Sequence, residues 1–141
     1  MRHKVYGNQL GRNTKQARAL YRSLVKEVLD HGKIETTLAK AKATRGMIDQ
    51  VITHAKKNTV AAKREVVKML GTDQLLKKIF SEVAPRFSNR NSGFTRIIRL
   101  GQRFSDTTEK VILELVEQAK QVEKLVEPVK PVKPVKPVKP V

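Results

Sequence analysis

Residues 1–26 read MRHKVYGNQLGRNTKQARALYRSLVK, and this stretch sets the organisation of the whole chain. It holds no Asp or Glu, and Arg2, Lys4, Arg12, Lys15, Arg18, Arg22 and Lys26 give it seven positive charges. The first half has Gly7, Asn8, Gly11 and Asn13 without periodicity, which predicts an extended arm over residues 1–13. The second half is periodic. At about 100° per residue, Lys15, Arg18, Arg22 and Lys26 share one arc of a helix, and Ala17, Leu20, Tyr21, Leu24 and Val28 fall opposite. A cationic arm therefore leads into a helix with a basic stripe outward and an apolar stripe inward, an arrangement suited to gripping a folded polyanion.

Outward from this stretch, the helix is expected to run from an N-cap at Thr14 to about Asp30, where His31-Gly32 closes it. Lys33–Thr37 is short and rich in β-formers, and reads as a strand. Thr36 or Thr37 then caps a second helix of about twenty residues, with Leu38, Ala41, Ile48, Val51, Ile52 and Ala55 on its apolar face. Lys40, Lys42 and Arg45 make its first half basic, against the preference of a helix N-terminus for acids. Asn58-Thr59 caps a third helix, Val60 to Leu70, ended by Gly71. Thr72-Asp73 starts a fourth, with Leu75, Leu76, Ile79, Phe80 and Val83 apolar and Pro85 as its expected stop. A basic loop, residues 86–93, precedes strands at 94–100 and 111–116. These two read as an antiparallel pair that the strand near Ile34 joins. The predicted architecture is α/β of the two-layer α+β kind: a small mixed three-strand sheet packed against about four helices, in the order α-β-α-α-α-β-β.

Composition narrows the function. The 141 residues carry a net charge of +17, with 39% apolar and 4% aromatic residues, no Cys and no Trp. Residues 1–108 hold 23 Lys and Arg against 8 Asp and Glu, so the body carries the charge. Such a surface repels itself until a polyanion neutralises it, and each phosphate bound releases counterions. Thiolate metal sites and disulfides are excluded. His3, His31 and His54 lack metal-ligand spacing, no glycine-rich phosphate loop occurs, and the acids sit beside Lys or Arg at helical spacing. No enzyme, cofactor or metal site is expected. The N-terminus lacks the apolar run of a secretory signal, and no stretch reaches the roughly 20 apolar residues of a membrane span.

Residues 117–127 read as a linker or short helix. From 128 to 141 the chain repeats Pro-Val-Lys, which blocks helix and ladder and favours polyproline II. That tail is expected to be disordered, with a reach of about 40 Å at about 3.1 Å per residue.

Several segments resemble the L-seventeen family of bacterial large-subunit ribosomal proteins. Met1-Arg2-His3-Lys4, Gly7 and Leu10-Gly11-Arg12 are similar to its amino-terminal signature, as are Ala19-Leu20, Arg22 and Leu24. Residues 34–42, IETTLAKAK, with Arg45, resemble its most distinctive segment, and Pro85-Arg86-Phe87, Arg90 and residues 93–97, GFTRI, its third block. Gln16-Ala17 stands where the family carries His-Arg, Ala39 where it has Pro, and Ser92 where it has Gly. The shared pattern ends near Val116. The resemblance implies a monomeric constituent of the cytoplasmic large ribosomal subunit that binds its RNA near the rim of the exit tunnel, beside other large-subunit proteins and without membrane contact. The expected RNA-binding domain is 1–116.

The residues expected to meet RNA are Arg2, His3, Lys4, Tyr6 and Arg12 of the arm; Lys15, Arg18 and Arg22 of the first helix; Lys40, Lys42 and Arg45 of the second; and Arg86, Phe87, Arg90 and Arg96 beyond the fourth. The cations would hold phosphates, positioning by shape rather than by base identity. Tyr6 and Phe87 are candidates for stacking on unpaired bases, whereas Phe94, at a strand start, reads as core. Two rival partners use the same stripe: duplex DNA and an acidic lipid surface.

Overall fold

The computed structural model describes residues 8–116. Helix α1, Thr14–His31, is capped one residue earlier than expected: Asn13, not Thr14, is the N-cap, and its backbone N–H donates to Gln16 Oε1 at 3.3 Å. Gly32 ends the helix at φ 78°, with its N–H on the Val28 carbonyl at 2.8 Å. Glycine reaches that left-handed conformation without a Cβ penalty, so the chain turns at once into strand β1, Lys33–Thr37. Helix α2, Leu38–Lys57, follows from Thr37 and is closed by Asn58 at φ 46°. Thr59 then caps helix α3, Val60–Leu70, its hydroxyl accepting from the Ala62 N–H at 3.2 Å.

Helix α4 spans residues 76–86. It was expected to stop before Pro85, yet it runs through to Arg86. The turn Ile79–Val83 is wound as a π-helix, so the Ala84 N–H reaches the Ile79 carbonyl five residues back. A proline has no N–H to donate and its ring crowds the carbonyl four residues earlier. The widened turn directly before Pro85 relieves that crowding, and the helix continues.

Strands β2, Thr95–Gln102, and β3, Glu109–Leu115, form a hairpin, and β1 adds to the other side of β3. The sheet order is β1-β3-β2, with Ile34 and Ile97 both opposite Leu113. A mixed sheet was expected; both pairings are antiparallel. The element order and the two-layer α+β arrangement match the expectation.

The core lies between the helices and one face of this sheet. Val111, Leu113 and Leu115 alternate inward along β3 and meet Ile48, Val51 and Ile52 of α2. The face of α2 is the expected one, with Leu38 half-buried and Thr44 added to it. Thr44 is tolerated there because its hydroxyl donates to the Lys40 carbonyl at 2.8 Å. The face of α1 differs from the expected stripe. Ala17 and Val28 are buried, but so are Val25 and Leu29, while Leu20, Tyr21 and Leu24 are only half-buried. Contacts with β1, α2 and α3 turn the helix toward the side on which Arg22 and Lys26 lie. The hydrophobic wheel contains no record of those neighbours.

Candidate nucleic-acid interface

The arm enters the body through two consecutive left-handed residues, Leu10 at φ 51° and Gly11 at φ 68°. Arg12 folds back there, donating from Nη1 to the Leu10 carbonyl at 2.8 Å. Just before this turn, the Tyr21 hydroxyl donates to the Asn8 carbonyl. Tyr21 thus pins the root of the arm against α1, a task that its place in the apolar stripe did not suggest.

A continuous depression follows from this arrangement. Gln9, Arg12 and Lys15 line one end, and Thr14, Arg18 and Tyr21 line the middle. Lys42, Gly46 and Gln50 of α2 line the far end, where Met47 and Met69 supply an apolar floor. The sections share Gln9, Thr14, Asn8, Tyr21 and Met47, so they form one surface. Gly46 leaves its wall open, since a Cβ there would meet nothing within 4 Å. Arg45 is exposed beside Gly46, and Lys40 is half-buried in the first turn of α2. Neither α1 nor α2 has an acid in its first turn. Lys15, Arg18, Lys42 and Arg45 have no acidic partner among the described residues. Unpaired cations along a concave surface favour an anion, and at Lys15 the positive end of the α1 dipole adds to their charge.

The remaining expected contacts stand elsewhere. Arg22 is half-buried and turned away from the stripe, donating to the Met69 and Lys68 carbonyls at the end of α3. Arg86 lies 3.8 Å from Glu82, one turn back on α4. Arg90 donates to the Gly93 carbonyl at 3.1 Å, and its own carbonyl accepts from Lys56 Nζ. Arg96 pairs with Glu114 across the outer face of the sheet. None of these four lines the depression. Arg2, His3, Lys4 and Tyr6 lie outside the described residues, as do the expected linker and tail.

Phe87 is corrected outright. It is 1% exposed and packs edge-on against Phe94, with ring centroids 5.2 Å apart and planes at 69°. No base can stack on a ring enclosed in this way. The loop is basic at Arg86 and Arg90, but its aromatic turns inward because a Phe side chain gains more from the core than the loop gains from exposing it. Phe94 is core, as read from its position. Its N–H donates to Asp49 Oδ1 at 3.3 Å, which ties the start of β2 to α2.

Among the described residues, no helix is long and apolar enough to cross a membrane, and no group of three or more His, Asp or Glu could hold a metal ion. One carboxyl at the end of α1 has a shifted equilibrium. Asp30 is held below the usual carboxylate range, first by its hydrogen bond from Lys78, with the Lys78 and His31 charges adding to it against some desolvation.

Known proteins resemble this chain over most of its length. Residues 20–116 match the family model described as ribosomal protein L17. The chain is 49% identical over 108 residues to the large ribosomal subunit protein bL17 of Clostridium acetobutylicum, covering 77% of this chain and 95% of that one. It is 43% identical over 119 residues to the protein of the same name from Thermodesulfovibrio yellowstonii, covering 84% and 90%. With that of Rubrobacter xylanophilus it shares 41% over 116 residues, covering 82% and 96%. At this identity and coverage, the chain belongs to the ribosomal protein L17 family.

Proposed function

We propose that this chain is a structural constituent of the bacterial large ribosomal subunit, binding large-subunit ribosomal RNA and neighbouring ribosomal proteins as part of the translation machinery. It works in the cytoplasm and catalyses no reaction. The observation that carries the RNA contact is the depression that Arg12, Lys15, Arg18 and Lys42 line beneath the arm. Its cations have no acids to answer to among the described residues; Lys15, Arg18 and Lys42 sit on helices, and Arg12 in the turn before α1. An RNA backbone laid along it exchanges condensed counterions for these side chains. The arm, from Arg2 to Arg12, continues the track between RNA segments and is ordered by the contacts it makes. The resemblance adds a location, the rim of the exit tunnel, beside other large-subunit proteins.

Sedimentation of a bacterial lysate through a sucrose gradient after a high-salt wash tests this reading. The chain is expected in the large-subunit fraction. Recovery at the top of the gradient, or with DNA, would overturn it.

A further inference from the structure

Four large apolar side chains stand exposed among the described residues: Val60, Ile98, Leu100 and Phe104. Three of them fall on one strand and the turn after it. Ile98 sits opposite Ile112 on the sheet face that the helices leave uncovered, flanked by the pairs Arg96–Glu114 and Lys110–Glu35. Leu100, 51% exposed, is the extra residue of a β-bulge between Arg99 and Gly101. Phe104, at 105% of its reference exposure, projects from the hairpin tip.

The tip is braced rather than loose. Arg103 grips both carboxylate oxygens of Asp106, at 2.9 and 3.0 Å. The Arg103 N–H donates to the Thr108 carbonyl, and the Thr107 N–H to the Arg103 carbonyl, each at 2.9 Å. The braced turn holds the backbone of Phe104 in place, so docking orders only the two side-chain torsions of an otherwise fully exposed ring.

The charge of this patch decides the partner. Arg96, Arg103 and Lys110 are each matched by an acid, unlike the cations of the depression; Arg99, exposed on β2, has no acidic partner among the described residues, and the charge of Glu109 offsets it within the patch. A phosphate finds no unpaired cation in these three, and a base stacked on Phe104 would bring its phosphates toward the Asp106 carboxylate. The Thr108 hydrogen bonds and Arg103 keep that group ionised well into acid. A locally neutral, apolar surface with an aromatic anchor suits the apolar surface of another protein. β2 is also an edge strand of the sheet, open to an approaching chain.

Resting on the reading of the preceding section, we infer that the outer face of the β2–β3 hairpin docks the apolar surface of a neighbouring large-subunit protein, with Phe104 as the inserted anchor. The test replaces Phe104 by the photo-crosslinker p-benzoylphenylalanine in the full chain. Large subunits carrying it are purified by gradient after a high-salt wash and irradiated. The expected product is an adduct that survives ribonuclease, joins one second large-subunit protein, and falls at least fivefold when Leu100→Ser is added. An adduct destroyed by ribonuclease would mean that the ring stacks on a base and overturns the inference. So would the lack of any adduct from a chain that sediments with the subunit. A chain that fails to sediment with the subunit overturns this inference and the proposed function together.

Discussion

Arg22 donates from Nε to the Met69 carbonyl at 3.1 Å and from Nη2 to the Lys68 carbonyl at 2.9 Å. One side chain of α1 thereby satisfies two carbonyls at the C-terminus of α3, where helix geometry leaves them without intrahelical donors. The charge also complements the negative end of that helix dipole. Gly71 makes room: a Cβ there would stand 3.1 Å from Arg22 Nη1, and its φ of 71° already favours glycine.

Arg22 and Arg18, four residues apart on the same stripe, should therefore behave differently. Arg22→Ala is expected to cost about 1–2 kcal/mol of stability, the worth of charged hydrogen bonds that are partly open to solvent. The slope of log affinity for RNA against log salt should stay close to that of the parent. Arg18→Ala should leave the urea midpoint nearly unchanged and flatten that slope by about 0.7–0.9, as one phosphate contact is lost. Urea titrations and filter binding at several salt concentrations separate the two. Equal effects on both quantities would show that Arg22 also reaches RNA.

Phe87 tests the corrected reading of the loop. Phe87→Ala should destabilise the fold by about 3–5 kcal/mol, through lost burial and the cavity it leaves. Whatever fraction remains folded should bind RNA with unchanged affinity. A stable variant with weakened binding would restore the stacking role.

Asp30 predicts a pH dependence. Lys78 Nζ donates to Asp30 Oδ1 at 2.5 Å and to its carbonyl at 2.6 Å, joining the end of α1 to α4. The carboxyl is lowered by this bond, so its contribution is fully present above its unfolded value of about 3.9 and is lost as pH falls through the folded value. The stability difference between the parent chain and Asp30→Asn should hold from pH 7 to about 5 and shrink below about 4. Urea midpoints measured across that range give the answer. A difference that does not change with pH would mean the pair contributes nothing through charge.

Deleting residues 1–12 should weaken association with ribosomal RNA by at least tenfold and leave the circular dichroism spectrum and melting temperature of the body close to those of the full chain. The deleted segment precedes α1 and contributes no residue to the buried core of the described chain. Loss of the melting transition would show that the Asn8–Tyr21 bond and its neighbours stabilise the body; undiminished binding would remove the arm from the interface.

Much of this was readable in residue order. The helix ends at Gly32 and Gly71, the Thr59 cap and the whole of β1 follow from local chemistry, where each residue's preference acts within one turn. The basic character of α1 and of the first half of α2 is equally local. Pro85 misled because its usual effect assumes an α-helical turn before it, and the π-turn at Ile79–Val83 removes that premise. Phe104 drew no notice because nothing in a polar turn says whether its one aromatic will be folded in, as Phe87 is, or left out.

The sequence by itself determined that this is a basic two-layer α+β domain with a cationic leading helix, since charge, periodicity and capping are properties of short segments. Only the tertiary structure decided which cations are available. Lys15, Arg18 and Lys42 meet at one depression, while Arg22 and Arg96 lie against carbonyls or an acid brought near by folding. An arginine's partner can lie forty-seven residues away, as Met69 does from Arg22. Pairing at that separation is set by how helices and sheet pack, which no local pattern of residues records.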